Sequence, residues 1–85
     1  ELRSPDPLCN PYLAFALLIR AGLDGVQQQL TLPPAADMNL YTASADTAAG
    51  FRTLPGSLTQ AKNEARNSAF IAASLPETVI RYYTK

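Results

Sequence analysis

The 85-residue chain contains no histidine, no tryptophan and a single cysteine. Without histidine these residues cannot form a Ser-His-Asp triad or a zinc finger, and one cysteine cannot form an intrachain disulfide framework. An excess of charge of either sign is also absent, because seven basic residues balance seven acidic ones. This balance argues against a nucleic-acid-binding surface or a surface for anionic membranes. The unpaired Cys9 is weakly in favour of a reducing compartment such as the cytoplasm.

Long hydrophobic runs are lacking too. The longest one, residues 13–19, is too short to cross a bilayer. A basic, then apolar, leader is not visible at the start. An apolar content of 47% still permits an ordered small domain. Because the chain lacks an initiator Met and concentrates its polar chemistry at residue 1, we predict that it is a fragment of a longer protein.

That polar chemistry lies in residues 1–9, which read ELRSPDPLC. Each proline disfavours helix at the residue before it, so we expect an extended strand end followed by a turn. Glu1 and Arg3, two apart on an extended chain, then point to the same side. Asp6 has two possible roles, since it could orient Arg3 or form a turn before Pro7.

Residues 10–30 are predicted to form one long helix. Asn10 is a favoured N-cap and Pro11 suits the first helical position. Residues 12–19 are apolar almost all round, which is typical of a helix buried on every side. Eighty-five residues can hardly surround such a helix. Gly22 and Gly25 further suggest the close approach of another backbone.

The remaining residues are predicted to be a long loop and about three short helices. In the loop, residues 31–56, we expect disorder at residues 44–50, a solvated Arg52 and Asn39 in an anchoring role. Ser57 and Gln60 form a capping box, residues 67–68 a second cap, and Pro76 begins the last helix. The fold class is therefore all-α. The expected anchors and inward contacts are apolar or small: Leu40, Tyr41, Phe51 and Leu54 in the loop, and Leu58, Ala61, Ala65, Ala69, Val79, Ile80 and Tyr83 in the helices.

An ordered series of motifs carries a family resemblance over nearly the whole chain. It consists of E-x-R at residues 1–3, P-D at 5–6, N-P-Y-L-x-F-A at 10–16, A-G-L-D-G-V at 21–26, N-L-Y at 39–41, P-G-S-L at 55–58, F-I at 70–71 and L-P-E at 75–77. This series resembles the C-terminal region of the type I glutamine synthetase catalytic domain. Only residues 42–52 are nondescript.

The resemblance implies roles for two residues. The glutamate matching Glu1 is a ligand of a catalytic divalent cation, Mg²⁺ or Mn²⁺, ions that prefer carboxylate oxygens. The arginine matching Arg3 contacts the glutamate substrate and the transferred phosphoryl group, where a fixed cation offsets developing charge. The implied reaction uses ATP to form γ-glutamyl phosphate, which ammonia then converts to glutamine. The family's other metal ligands and its nucleotide contacts lie in sequence upstream of this chain.

The resemblance also implies a cytoplasmic homo-oligomer of stacked rings, with no nucleic-acid or membrane partner. We expect the isolated 85 residues to be inactive, to hold no cofactor and either to form a dimer or larger species or to fold poorly. Two other functions remain open: a ligase of the same family that joins glutamate to a polyamine or another amine, and a non-catalytic helical interaction domain. A carrier protein modified on Ser57 is rejected, because Gly56 rather than Asp precedes that serine.

Overall fold

Five helices and no strand make up the computed structural model, which describes residues 1–85. The all-α fold class is confirmed. No helix combines the length and the apolar character needed to cross a membrane. The helices, in chain order, are α1 (Pro11–Gln27), α2 (Ala45–Ala48), α3 (Leu58–Asn67), α4 (Ala69–Ser74) and α5 (Glu77–Tyr83).

Helix α1 begins where the sequence predicts and ends earlier. Asn10 Oδ1 accepts hydrogen bonds from the backbone N–H groups of Tyr12 and Leu13, at 3.0 and 3.4 Å. At the other end Gln29 has a φ of 52°, and Leu30 N–H bonds the Gly25 carbonyl at 3.0 Å. This is a Schellman ending with glutamine in the left-handed position where glycine is usual. The helix therefore stops at Gln27 instead of Leu30.

The long connection contains one turn of helix that the sequence analysis assigned to disorder. Ser44 Oγ accepts from Thr47 N–H at 3.2 Å and contacts Thr47 Oγ1 at 2.9 Å, which caps α2. Helix α2 packs against no other helix, so local hydrogen bonds define it. The four apolar residues expected to anchor this connection are instead exposed: Leu40, Tyr41, Phe51 and Leu54.

The three C-terminal helices follow the predicted caps. Ser57 Oγ accepts a hydrogen bond from Gln60 N–H at 3.1 Å, and Gln60 Oε1 accepts one from Gly56 N–H at 2.8 Å. In a standard capping box the second donor would be the N–H of Ser57, one residue later. Ser68 caps α4 by accepting from Ile71 N–H at 3.2 Å. Leu58 and Ala69 were predicted to face inward and are exposed, whereas Ala61, Ala65, Val79 and Ile80 are half-buried. Tyr83, also predicted to face inward, lines an apolar cavity between the helices but is 49% exposed.

Helices α3, α4 and α5 pack against one another, and α1 joins them through α4. An apolar cavity of about 170 Å³ lies among these four helices, lined in part by Leu13, Leu17 and Ile80. Arg20 on α1 also donates from Nη2 to the Ala73 carbonyl of α4 at 3.3 Å. The packing core thus lies between one side of α1 and the C-terminal helices.

The 85 residues do not surround α1, as the sequence analysis expects of so short a chain. Helix α1 has no buried residue, and Tyr12 and Phe15 are 84% and 64% exposed. The short helices cover only the side that carries Leu13 and Leu17. Accordingly, the accessible surface is 7635 Å², against about 4,900 Å² for a typical folded monomer of this size. We name the uncovered side, made of Tyr12, Phe15, Ile19, Leu23 and Val26, the outer face of α1.

Candidate functional site

Glu1 and Arg3 lie side by side, as the sequence predicts, in a segment without regular secondary structure. Arg3 Nε donates to Glu1 Oε1 at 2.7 Å, and the side chains are 70% and 84% exposed for Glu1 and Arg3. An ion pair this exposed contributes only about 0–1 kcal/mol. Both groups are therefore open to solvent. An anion could replace Glu1 as the partner of Arg3, or a cation could replace Arg3 as the partner of Glu1, at little cost in free energy.

Asp6 forms a turn and does not contact Arg3. Its Oδ1 accepts from Leu8 N–H at 2.8 Å, and its carbonyl accepts from Cys9 N–H at 3.0 Å. Such a side-chain-to-backbone bond two residues on is the usual way in which Asp closes a turn. Of the two roles left open for Asp6, the structure supports the turn.

Asn10 links this segment to the far end of the chain. While its Oδ1 caps α1, its Nδ2 donates to the Tyr83 hydroxyl at 3.1 Å. Tyr83 ends α5 and stacks edge-on against Tyr82, with ring centroids 5.1 Å apart. The sequence analysis treated Tyr83 as an apolar contact only, and no local signal could reveal a partner 73 positions away.

An open cleft of about 770 Å³ separates the Asp6 turn from the start of α3. Ser4, Asp6 and Cys9 line one side, and residues 54–58 line the other. Cys9 is a free and exposed thiol. The cleft is lined by residues that follow Arg3 and includes neither Glu1 nor Arg3.

The chain offers a metal ion one carboxylate ligand at the predicted position. Within residues 1–85 no group of three or more His, Cys, Asp or Glu side chains could hold a metal. Glu1 supplies the hard oxygen that Mg²⁺ and Mn²⁺ prefer, and its Oε2 makes no hydrogen bond within the chain. The residue type fits such an ion, but the other ligands would have to come from outside these residues.

The other polar residues singled out in the loop stay apart from this segment. Asn39 Oδ1 accepts from Tyr41 N–H at 3.0 Å, so Asn39 forms a local turn. Tyr41 itself is fully exposed and does not anchor the loop. Arg52 is exposed, as predicted.

Comparison with known proteins identifies the family. A family model described as the glutamine synthetase catalytic domain matches residues 1–85. The glutamine synthetase of Methanosarcina mazei is 41% identical over 98% of this chain, and that of Mycolicibacterium smegmatis is 42% identical over all of it. The glutamine synthetase of Thermus thermophilus is 40% identical over 98% of the chain.

These alignments cover only part of the relatives. The chain spans 19% of the Methanosarcina and Thermus proteins and 20% of the Mycolicibacterium one. No solved structure matches the chain significantly. Since the family match runs over all 85 residues, the chain belongs to the glutamine synthetase catalytic-domain family.

Proposed function

We propose that the protein to which these residues belong is an ATP-dependent ligase that forms glutamine from glutamate and ammonia. The observation that carries the proposal is the identity of about 40% to several glutamine synthetases over essentially the whole chain. The reaction would activate the side-chain carboxylate of glutamate as γ-glutamyl phosphate, from which ammonia displaces phosphate.

In this reaction Arg3 would bind the glutamate substrate and offset negative charge on the phosphoryl group. Its guanidinium is exposed and is held only by a weak ion pair with Glu1. A substrate anion can therefore replace the Glu1 carboxylate as the partner of Arg3. A fixed cation at the position where charge develops is worth several kcal/mol of barrier in favourable sites, roughly 2.7–4 kcal/mol for one donor.

Glu1 would be one ligand of a catalytic Mg²⁺ or Mn²⁺ ion, together with carboxylates from elsewhere in the protein. Such an ion, when bound, neutralises charge on the phosphates of ATP. When the substrate anion replaces Glu1 as the partner of Arg3, the Glu1 carboxylate would become free to bind the ion. The Glu1–Arg3 ion pair in this structure would thus be the arrangement without ligands, in which Arg3 has not bound the substrate and Glu1 has not bound the metal ion.

The whole protein would work as a cytoplasmic homo-oligomer of stacked rings. Active sites in such rings lie between neighbouring subunits, according to the resemblance described above. Neutral net charge and the single, unpaired cysteine are compatible with this location. Sedimentation of the full-length protein as a monomer would contradict the oligomer.

The test is an assay of the purified full-length protein with ATP, Mg²⁺ and glutamate. Three parallel reactions contain ammonia, a polyamine or no acceptor. Both the phosphate released and the amide product are measured in each. Glutamine formed only with ammonia supports the proposal. A faster reaction with the polyamine than with ammonia would assign the γ-glutamyl-amine ligase instead. If neither ammonia nor the polyamine increases phosphate release, a non-catalytic helical domain is favoured.

A further inference from the structure

Both charged side chains of α1 lie on the side of the helix that faces α4. Arg20 donates from Nη2 to the Ala73 carbonyl at 3.3 Å. Arg20, Asp24 and Gln27 line a cavity of about 430 Å³ between α1 and α4, together with Phe70. A helix at the surface of a globular protein usually carries its charged residues on the side away from the core. In α1 this arrangement is reversed, so the exposed side of the helix is not built to face water.

The outer face of α1 carries no charged residue. Phe15, Ile19 and Val26 on this face are 64%, 64% and 74% exposed. Gly22 lies on the same side, because these four residues follow one another at intervals of four, three and four. A Cβ added to Gly22 would meet nothing within 4 Å. The outer face therefore has the composition of a protein core, with one point at which another backbone could come close.

The apolar surface of α1 is continuous from its inner to its outer side. Leu13 and Leu17 pack toward the C-terminal helices, and Leu18 and Ile19 continue the same turns on the other side. A contiguous apolar cluster of this kind usually belongs to the core of one domain. The outer face thus extends the core that α1 shares with the C-terminal helices.

The relatives of this chain are long enough to supply the rest of such a core. The aligned residues span 19–20% of the three relatives compared, so about four fifths of each relative lies outside them. The other possible cover is a second subunit. That arrangement would leave the subunit with a bare extension of its own core until assembly, so continuity with the core favours the same polypeptide.

We propose that the outer face of α1 is an internal surface of the full-length subunit, covered by an apolar surface of the same polypeptide from outside these 85 residues. The covering surface places no charged group opposite Phe15, Ile19 and Val26, since the outer face has none to pair with it. It approaches the helix most closely at Gly22. The inference does not depend on the proposed ligase function.

Photo-cross-linking of the full-length protein identifies the cover directly. Benzoylphenylalanine, a photoreactive aromatic residue, replaces Phe15. After irradiation, denaturing electrophoresis gives the size of the product, and mass spectrometry of its peptides gives the position of the cross-link. The main product should have the mass of one subunit and should join α1 to a peptide outside the 85 residues. The same protein kept in the dark is the control.

Thermal melts of the full-length protein test the cover by size and by charge. Gly22→Leu should lower the midpoint, because a cover leaves no room for the side chain, whereas on a bare helix leucine would raise it. Ile19→Glu should lower the midpoint by several degrees, since it places an unpaired charge in a core. Asn63→Glu is the matched control on the exposed, polar side of α3 and should melt near wild type.

A cross-linked product of two subunits would overturn the inference and assign the outer face to a subunit interface. Cross-links that join only residues within the 85, or no cross-link at all, would also overturn it, as would a raised midpoint in Gly22→Leu. If Ile19→Glu does not fold, the cross-link and Gly22→Leu still decide. These measurements need no catalysis, so absence of ligase activity would refute the proposed function and leave this inference standing.

Discussion

Arg66 on α3 donates a hydrogen bond from Nη2 to the backbone oxygen of Thr84, the one buried residue of the chain at 6% exposed. Thr84 is the C-cap of α5, and its hydroxyl donates to the Ile80 carbonyl at 2.7 Å. A guanidinium at the C-terminal end of a helix satisfies a free carbonyl and complements the helix dipole. This bond fixes the ends of α3 and α5 to each other.

We expect Arg66→Met to lower the free energy of unfolding by about 1–3 kcal/mol, because a buried carbonyl loses a charged donor. Urea titrations followed by circular dichroism measure the change. Arg81→Met is the matched control, since Arg81 pairs with Glu77 on the exposed surface of α5, where such pairs contribute about 0.3–0.5 kcal/mol. Equal decreases in the free energy of unfolding of the two variants would show that the bond to Thr84 stabilises the fold no more than a surface ion pair does.

In the full-length protein, Arg3→Ala should reduce kcat/KM for glutamate about 10²–10³-fold, the usual effect of removing a donor that stabilises developing charge. Steady-state kinetics at saturating ATP and Mg²⁺ measure this. Arg52→Ala, which removes an exposed arginine of the loop, should leave the rate near wild type. Wild-type kinetics in Arg3→Ala would remove Arg3 from the site.

Glu1→Ala should raise the Mg²⁺ concentration needed for half-maximal activity at least about tenfold, as expected when a carboxylate that holds the ion is lost. Titration of activity with Mg²⁺ and with Mn²⁺ gives this concentration. Asp6→Asn is a useful comparison, because an amide oxygen preserves the turn and Asp6 is assigned no metal. An unshifted metal requirement in Glu1→Ala would exclude Glu1 as a ligand.

The isolated 85-residue chain should bind no Mg²⁺ tightly and release no phosphate from ATP. It has one candidate ligand, and a single carboxylate does not form a binding site for a divalent ion. The measurement is phosphate release with ATP, Mg²⁺, glutamate and ammonia, against buffer. Release above buffer would mean that these residues contain a site that their side chains do not suggest.

The isolated chain should also self-associate through the outer face of α1. Each large apolar side chain left in water forgoes about 1.5–3 kcal/mol of burial free energy. Light scattering and thermal melts at several concentrations should show a dimer or larger species. Ile19→Glu on the outer face should abolish association, while Leu17→Ala on the inner side should lower stability without doing so. A monomer with a concentration-independent melt would refute this.

Gln29→Gly should stabilise the chain by about 0.5–1 kcal/mol. Gln29 adopts a φ of 52°, a region that costs an L-residue roughly 1–2 kcal/mol and glycine nothing comparable. Gln28→Gly is the control, because Gln28 has a φ of −84° and gains nothing from glycine. The thermal midpoint should rise for the first variant and fall for the second. The same direction of change in both would contradict the left-handed ending.

Caps and helix starts were predictable because their hydrogen bonds join residues two or three apart, as at Asn10, Ser57 and Ser68. The ion pair of Glu1 and Arg3 was predictable for the same reason. The end of α1 was missed because glutamine occupies a position where the sequence signal is glycine. Likewise, α2 was missed because a single Ser44 cap organises a tract without large side chains.

Long-range contacts could not be predicted in the same way. The spacing of residues in the sequence does not predict the hydrogen bond between Asn10 and Tyr83. Nor does it predict that Leu58 is exposed rather than packed against the other helices. The exposed outer face of α1 was foreseeable only in part, from the small number of residues available to cover it. What the sequence signals is the apolar character of a face, and what covers that face depends on tertiary structure.

The order of the helices along the chain has a consequence for synthesis on the ribosome. Helices α3 to α5 are neighbours in sequence and can pack as they emerge, but α1 precedes its partner α4 by a 41-residue interval, residues 28–68. At about 5–20 residues per second, α1 is made a few seconds before α4 is complete. Until α4 is made, the side of α1 that carries Leu13 and Leu17 cannot form the packing seen in this structure.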